Sequence, residues 1–311
     1  MSRPPTLLRG PPGARLKTSR DARPYPEKRL SNSEAPYRGR IAPSPTGYLH
    51  LGHARTFLIA QERARKYNGQ LVFRNEDLDS DRCRKEFVSA MVEDLRWLGM
   101  DWDEGPDRPG PYGPYSQSER RIDYLAAWRK LRDAGFLYPC TCSRKELAAS
   151  AGAPHEDDEP VYPGKCRTRT DARRFDQPAG VNWRFRVPDG KEIAFVDGHL
   201  GSERFLAGRD FGDFVVWRRD DVPAYQLAVV VDDHAMRISE VVRGCDLLKS
   251  TARQQLIYEA FDWPAPNFYH CDLVRDEAGR RLAKRHDSFT IRKLRASGWT
   301  PGEVRNRAWN G

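Results

Sequence analysis

Long apolar runs are missing from this chain, and sulfur is scarce. Its 311 residues include 6 cysteines and 4 methionines, and the mean hydropathy is −0.77. No stretch approaches the ~20 apolar residues that a bilayer-spanning helix needs. The first residues are basic and rich in proline, without the apolar run of a signal peptide. A cytoplasmic protein with no membrane partner is therefore expected. Six cysteines in so long a chain, three of them clustered and three scattered, do not make a disulfide framework. Internal repeats are also missing, which excludes a solenoid or propeller.

What is present is charge, unevenly placed. The net charge is +9. Residues 1–36 carry eight Lys or Arg against three Asp or Glu, and residues 273–311 carry ten against four. The body between them is slightly acidic. Basic ends around such a body suit a polyanionic partner. Residues 1–36 have little periodic apolar content, so a disordered basic tail is expected there. A length of 311 residues makes one uninterrupted core awkward and favours two domains or a split one.

The front of the chain alternates strand and helix. Residues 37–42 read as a strand, 53–68 as a helix ended by Gly69, and 71–76 as a second strand. Phe87, Met91, Leu95 and Leu98 recur at helical spacing. Ser116 to Glu119 has the form of a capping box opening a helix through Leu131. That order argues for a parallel, helix-covered sheet. From 136 to 210 the pattern changes, with short periods, frequent Pro and Gly, and a half-exposed strand at Trp183, Phe185 and Val187. Leu227–Val231 reads as a buried strand or a helix start, 238–242 as a strand and 250–261 as a helix. Thr300 to Glu303 forms another capping box.

Arg40-Ile41-Ala42-Pro43-Ser44-Pro45-Thr46-Gly47-Tyr48-Leu49-His50-Leu51-Gly52-His53 leads straight into the first helix. Two histidines three apart at a helix N-terminus suit phosphate groups, because unpaired N–H groups, the helix dipole and imidazole donors all favour an anion. Pro43 and Pro45 stiffen the loop. The string resembles the HIGH motif of class I aminoacyl-tRNA synthetases, in the form found in the glutamyl group. That resemblance implies ATP binding by His50, Gly52, His53 and a downstream lysine, with His50 and His53 catalytic.

Cys140-Thr141-Cys142 and Cys166 offer three thiolates for a tetrahedral zinc site. General zinc chemistry nominates His155, the imidazole between these cysteines, as fourth ligand. The region also resembles the C-x-C…Y-x₃-C pattern of the truncated, queuosine-directed branch of the glutamyl group, which implies Tyr162 instead.

Arg281-Leu282-Ala283-Lys284-Arg285 is by itself a basic run on a surface. Downstream of the histidine loop it resembles the KMSKS motif, which implies that Lys284 is catalytic and binds ATP. Ala283 stands where the family usually has serine. The resemblance further implies a glutamate pocket of Arg40, Ser44, Glu76, Tyr225 and Arg243, carried by the arginine before P-S-P, the R-x-E-D strand end and the segment from Ala224 to Leu248. Asn75 departs from the usual isoleucine of R-I-E-D.

The resemblance covers 37 to about 290 and implies an α/β fold: a Rossmann-type parallel sheet in halves 37–135 and 211–265, a zinc-containing insertion at 136–210, and a KMSKS-like loop with a short helical end at 266–311. Only 26 residues follow Arg285, so an anticodon-binding domain is not expected. Together with C-x-C…Y-x₃-C, this points to the branch that activates L-glutamate with ATP and Mg²⁺ and esterifies it to queuosine in tRNA(Asp). A monomer with one structural Zn²⁺ is expected. A minimal enzyme that charges a tRNA 3′ end, and an inactive RNA-binding paralogue, are the alternatives.

Overall fold

A computed structural model of the chain describes residues 36–143, 146, 161–274 and 289–310. Strands β1 (Arg38–Ile41) and β2 (Gln70–Phe73) pair in parallel, joined by helix α1 (Leu51–Lys66). Helices α2 (Lys85–Trp97) and α3 (Arg121–Asp133) follow. Strand β2 is shorter than expected, so Arg74, Asn75 and Glu76 lie just beyond its end.

The Ser116 capping box does not form. Ser116 makes no side-chain cap, residues Gln117–Glu119 form a single 3-10 turn, and α3 begins at Arg121. Ser116 is instead held in a β-bridge to Asn75, and tertiary partners tie down the residues after it: Gln117 Nε2 donates to Asp232 at 2.7 Å, and the Ser118 N–H and hydroxyl donate to Asp77 at 2.9 and 2.8 Å.

The middle of the chain is antiparallel. Strands β3 (Leu137–Cys140), β4 (Asn182–Phe185) and β7 (Phe214–Trp217) form one sheet in that order, and β5 (Glu192–Asp197) and β6 (Gly201–Leu206) form a hairpin. Pro139 is tolerated because β3 is an edge strand. β4 was expected to be half exposed, yet Arg184 is buried between Trp183 and Phe185. Its guanidinium lies over the Tyr162 ring at 3.9 Å and its Nε donates to Cys140 Sγ at 3.4 Å, which explains its burial.

Leu227–Val231 belongs to helix α4 (Tyr225–Ala235), not to a strand. Its Val run is buried on all sides, which hides helical periodicity. Strand β8 (Glu240–Gly244), helix α5 (Leu248–Phe261) and strand β9 (Asn267–Cys271) follow, with β8 and β9 parallel. β9 also pairs in parallel with β5 at Asp197, giving the order β6-β5-β9-β8. Short helices α6 (Ile291–Ala296) and α7 (Pro301–Asn310) close the described chain.

The apolar interior forms two main clusters. One joins β1, β2, α1, α2, α6 and α7. The other runs without a break from α3 through β3, β4 and β7 into α4 and α5, with Trp128 and Trp183 edge-to-face at 4.9 Å. Beside β8, the Ser239 N–H donates to the Arg38 carbonyl at 2.9 Å and the Arg38 N–H to Ser239 Oγ at 2.8 Å, which holds β1 against the start of β8. No described helix is long and apolar enough to cross a membrane.

Candidate active site

The loop after β1 ends in a turn closed from both sides by histidine. His50 is the N-cap of α1: its Nδ1 accepts the Gly52 N–H at 3.1 Å, while His53 Nδ1 accepts the His50 N–H at 3.2 Å. A ring nitrogen that accepts carries no proton, so both imidazoles hold theirs on Nε2. A Cβ on Gly52 would lie 3.0 Å from His50 Cε1 and crowd the cap. This arrangement satisfies two backbone donors of the helix start and fixes both rings as Nε2–H donors.

Residues just beyond the C-terminal ends of β1, β2, β8 and β9 meet around one cavity of about 490 Å³. Open α/β sheets bind ligands in that position. Arg40, Ser44, His50, Gly52 and His53 line it, and so do Glu76, Tyr225 and Arg243. All the expected ATP and glutamate residues among the described ones are thus brought together. Lys284 lies outside the described residues, as do Arg281, Ala283, Arg285 and His155. The flanks of 275–288 are described: Val274 lines the cavity, and Thr290 forms a β-bridge to His50 while the Ile291 N–H donates to the Leu49 carbonyl at 2.8 Å.

A buried charge network underlies the floor. Arg74 donates through Nη1 to Asp233 at 2.6 Å and through Nη2 to Glu76 at 2.9 Å. Asp232 accepts from Arg120 Nε at 2.6 Å, from Gln117, and from the Tyr124 hydroxyl at 3.0 Å. Burial pushes the Glu76 carboxyl up, opposed by Arg74 and Arg40. Burial likewise pulls the Arg40 guanidinium below its usual range, opposed by Asp233. Arg40 Nη1 donates to the Val242 carbonyl, and its buried Nε has no hydrogen-bond partner among the described residues. The Arg243 guanidinium is held on three sides by Tyr225, Thr251 and His270. Arg74, Asp232, Asp233, Thr251 and His270 were not picked out from the sequence. The first three sit inside quoted motifs, and the last two carry no local signal.

A second cluster lies apart, built on β3. The sulfurs of Cys140, Cys142 and Cys166 lie within 4.8 Å of one another. The Tyr162 hydroxyl is 3.4 Å from Cys140 Sγ and 3.6 Å from Cys142 Sγ, and Cys142 and Cys166 sulfurs are 3.6 Å apart. A tetrahedral zinc with Zn–S of about 2.3 Å has ligand–ligand edges of about 3.8 Å, so this donor set fits the ion. Burial pushes Cys166 up, but hydrogen bonds from the Thr141 backbone, Tyr162 and the other two thiols outweigh it and bring the group to about 7. Burial raises Cys142 and Tyr162. The other cysteines, Cys83, Cys245 and Cys271, are free and scattered.

The family model of tRNA synthetases class I (E and Q), catalytic domain, matches residues 37–307. The chain is 50% identical over 271 residues to a Glutamyl-Q tRNA(Asp) synthetase of Symbiobacterium thermophilum, covering 86% of this chain and 83% of that protein. A protein of the same name from Nitratidesulfovibrio vulgaris is 48% identical over 265 residues, covering 84% and 82%. Glutamate--tRNA ligase 2 of Syntrophus aciditrophicus is 43% identical, covering 88% of this chain but 57% of its own length. Among solved structures, a glutamate tRNA ligase from Elizabethkingia meningosepticum in complex with its amino acid superposes with a TM-score of 0.71 at 32% identity over 82% of this chain. The chain spans 53% of that structure, about half its length. The chain belongs to the class I tRNA synthetase family of the E and Q type and is a ligase of that family.

Proposed function

We propose that this enzyme activates L-glutamate with ATP and esterifies it to the cyclopentenediol of queuosine at the wobble position of tRNA(Asp). The carrying observation is the cavity in which two guanidiniums, a tyrosine and a buried carboxylate stand beside a histidine-capped helix start. Glutamate needs cationic or hydrogen-bond-donor partners for two carboxylates and an anion for its ammonium. Arg40, Arg243 and Tyr225 supply the first, Glu76 the second, and Ser44 a hydroxyl at the rim. The greater identity to the two relatives named Glutamyl-Q tRNA(Asp) synthetase than to the one named Glutamate--tRNA ligase 2 supports the choice of acceptor.

In the first step the glutamate α-carboxylate attacks the α-phosphorus of ATP, and pyrophosphate leaves. The Nε2–H groups of His50 and His53, the helix N-terminus and Lys284 offset the charge that develops on the phosphates. Mg²⁺ enters with ATP. Binding glutamate between Arg40 and Arg243 makes the attack effectively intramolecular. A queuosine hydroxyl then attacks the mixed anhydride and displaces AMP. Its proton goes to the adenylate phosphate or to water.

Residues 136–210 act in this reading as an insertion between the halves 37–135 and 211–265 of a Rossmann-type domain. Cys140, Cys142, Tyr162 and Cys166 would hold one zinc there. The ion's contribution is structural cross-linking, since these four donors would leave no coordination position open.

The test is transfer of labelled glutamate to queuosine-containing tRNA(Asp) and to tRNA(Glu), side by side. Label on tRNA(Asp) that disappears when queuosine is absent supports the proposal. Label on tRNA(Glu) makes the enzyme one that charges a tRNA 3′ end, and no ATP–pyrophosphate exchange at all identifies an inactive paralogue.

A further inference from the structure

Behind the cavity lies a chain of buried groups that the reaction itself does not touch. Asp197, at the end of β5, and His270, in β9, are both buried, and the Asp197 Oδ2 atom lies 2.6 Å from His270 Nδ1. Asp197 Oδ1 also accepts the N–H groups of His199 and Leu200, each at 2.9 Å, and the His270 N–H is 3.2 and 3.1 Å from the two carboxylate oxygens. On the other side of the ring, Arg243 Nε donates to His270 Nε2 at 3.2 Å. Arg243 Nη2 donates to Thr251 Oγ1 at 2.6 Å, and that oxygen stands 2.8 Å from the same His270 nitrogen.

These partners fix the tautomer. A guanidinium N–H can only donate, so His270 Nε2 must accept. A carboxylate can only accept, so Nδ1 must carry the proton. Burial keeps the ring neutral by pulling the imidazole below the ordinary histidine range; Asp197 opposes this, and Arg243 and Arg40 reinforce it. The Phe195 and Phe268 rings, at 6.3 and 6.2 Å, enclose it. Arg243 reaches the cavity with its Nε and Nη2 directed away from it, leaving Nη1, 3.4 Å from the Tyr225 hydroxyl, on the cavity side.

We propose that Asp197 and His270 are positioning residues for Arg243: the aspartate sets the imidazole tautomer, and the imidazole lone pair orients the guanidinium to meet a glutamate carboxylate. This rests on the reading of the cavity as a glutamate site. It also gives the single-residue pairing of β5 with β9 a function, because that contact carries Asp197 across to the strand that bears His270. Orientation of an aspartate–histidine pair by this logic is a general device.

The experiment is ATP–pyrophosphate exchange with the full chain, measuring the KM of glutamate and of ATP separately. Asp197→Asn keeps an acceptor for the backbone N–H groups but presents an amide donor to Nδ1, which moves the imidazole proton to Nε2, against Arg243. Its glutamate KM should rise about ten- to hundredfold, the worth of a lost charge-assisted hydrogen bond, with the ATP KM changed by less than about twofold. His270→Leu should behave alike, and His270→Gln, which returns an acceptor near the Nε2 position, should recover most of the loss. Thermal unfolding of each variant separates misfolding from mispositioning. If Asp197→Asn and His270→Leu fold and keep the glutamate KM of the unsubstituted enzyme, the inference is overturned alone. If the two KM values rise together, a general structural role replaces it. If the unsubstituted enzyme shows exchange with another amino acid and none with glutamate, the reading of the cavity falls and this inference falls with it.

Discussion

Arg40 Nη1 donates to the Val242 carbonyl across 2.8 Å, so the guanidinium lining the cavity also ties the end of β1 to β8. A lysine there would keep the charge but lose the planar fork that serves the carbonyl and a carboxylate together. Arg40→Lys should raise the glutamate KM about ten- to hundredfold, as expected for charged hydrogen bonds. Steady-state exchange kinetics measure it, and an unchanged glutamate KM would remove Arg40 from the pocket.

His50 has two jobs that can be separated. Asparagine is a good N-cap, so His50→Asn should retain the cap of α1 and shift stability by no more than about 1 kcal/mol. It cannot supply the Nε2–H donor, and the activation rate should fall on the order of 10²-fold. Thermal unfolding and pyrophosphate exchange read the two effects independently. An unchanged activation rate would make the histidine a cap and nothing more.

Lys284 is proposed as the cation that meets the phosphates as charge develops. Lys284→Ala should lower the rate of glutamate activation on the order of 10²–10³. Near-normal exchange in that variant would exclude the lysine from the mechanism.

The zinc assignment makes a direct analytical prediction. Tyr162→Phe and Cys166→Ser should each lower the bound zinc measured by atomic emission, and His155→Ala should leave it unchanged. Zinc lost only from the histidine variant would replace Tyr162 with His155 as the fourth ligand.

Asp94, fully buried on α2, has no hydrogen-bond partner for either carboxylate oxygen among the described residues, and Arg292 Nη2 stands 3.6 Å away. Burial pushes the Asp94 carboxyl up to about 6, opposed by Arg292 and Arg295. The folded protein therefore prefers the neutral acid. The stability it gives is fully present below the ordinary aspartate value near 4 and lost as pH rises to about 6. Asp94→Asn should stabilise the protein at pH 8 by about 3 kcal/mol at most, and the gain should vanish at pH 4. Unfolding curves at the two pH values test this; an equal effect at both would mean that charge is not the cause.

Capping motifs show how far local sequence reaches. Thr300 and Glu303 form the box expected of them: the Thr300 N–H donates to Glu303 at 2.7 Å and the Glu303 N–H to Thr300 Oγ1 at 3.3 Å. Both residues are exposed, and among the described residues their side chains bond only within the box. Ser116 to Glu119 has the same local pattern, but Ser116 is held in a β-bridge to Asn75 and its neighbour Gln117 is drawn to Asp232, 115 residues away in sequence. Tertiary contacts at Ser116 and Gln117 override the local signal, because polar groups left unpaired in the interior cost more than a frayed turn.

The string of residues alone marks the loop that leads into the first helix and the three thiols that lie near one another, but it put the helix start at His53, where the structure has Leu51 behind a His50 cap. Those features are set by neighbours a few residues apart, whose geometry the backbone already constrains. The bonds by which Arg74 joins Glu76 to Asp233, and Asp197 reaches His270 across 73 positions, come from the tertiary fold and from no local pattern. Contacts of that kind depend on which strands lie side by side, and strand order is fixed by packing of the whole core, not by any local run of residues.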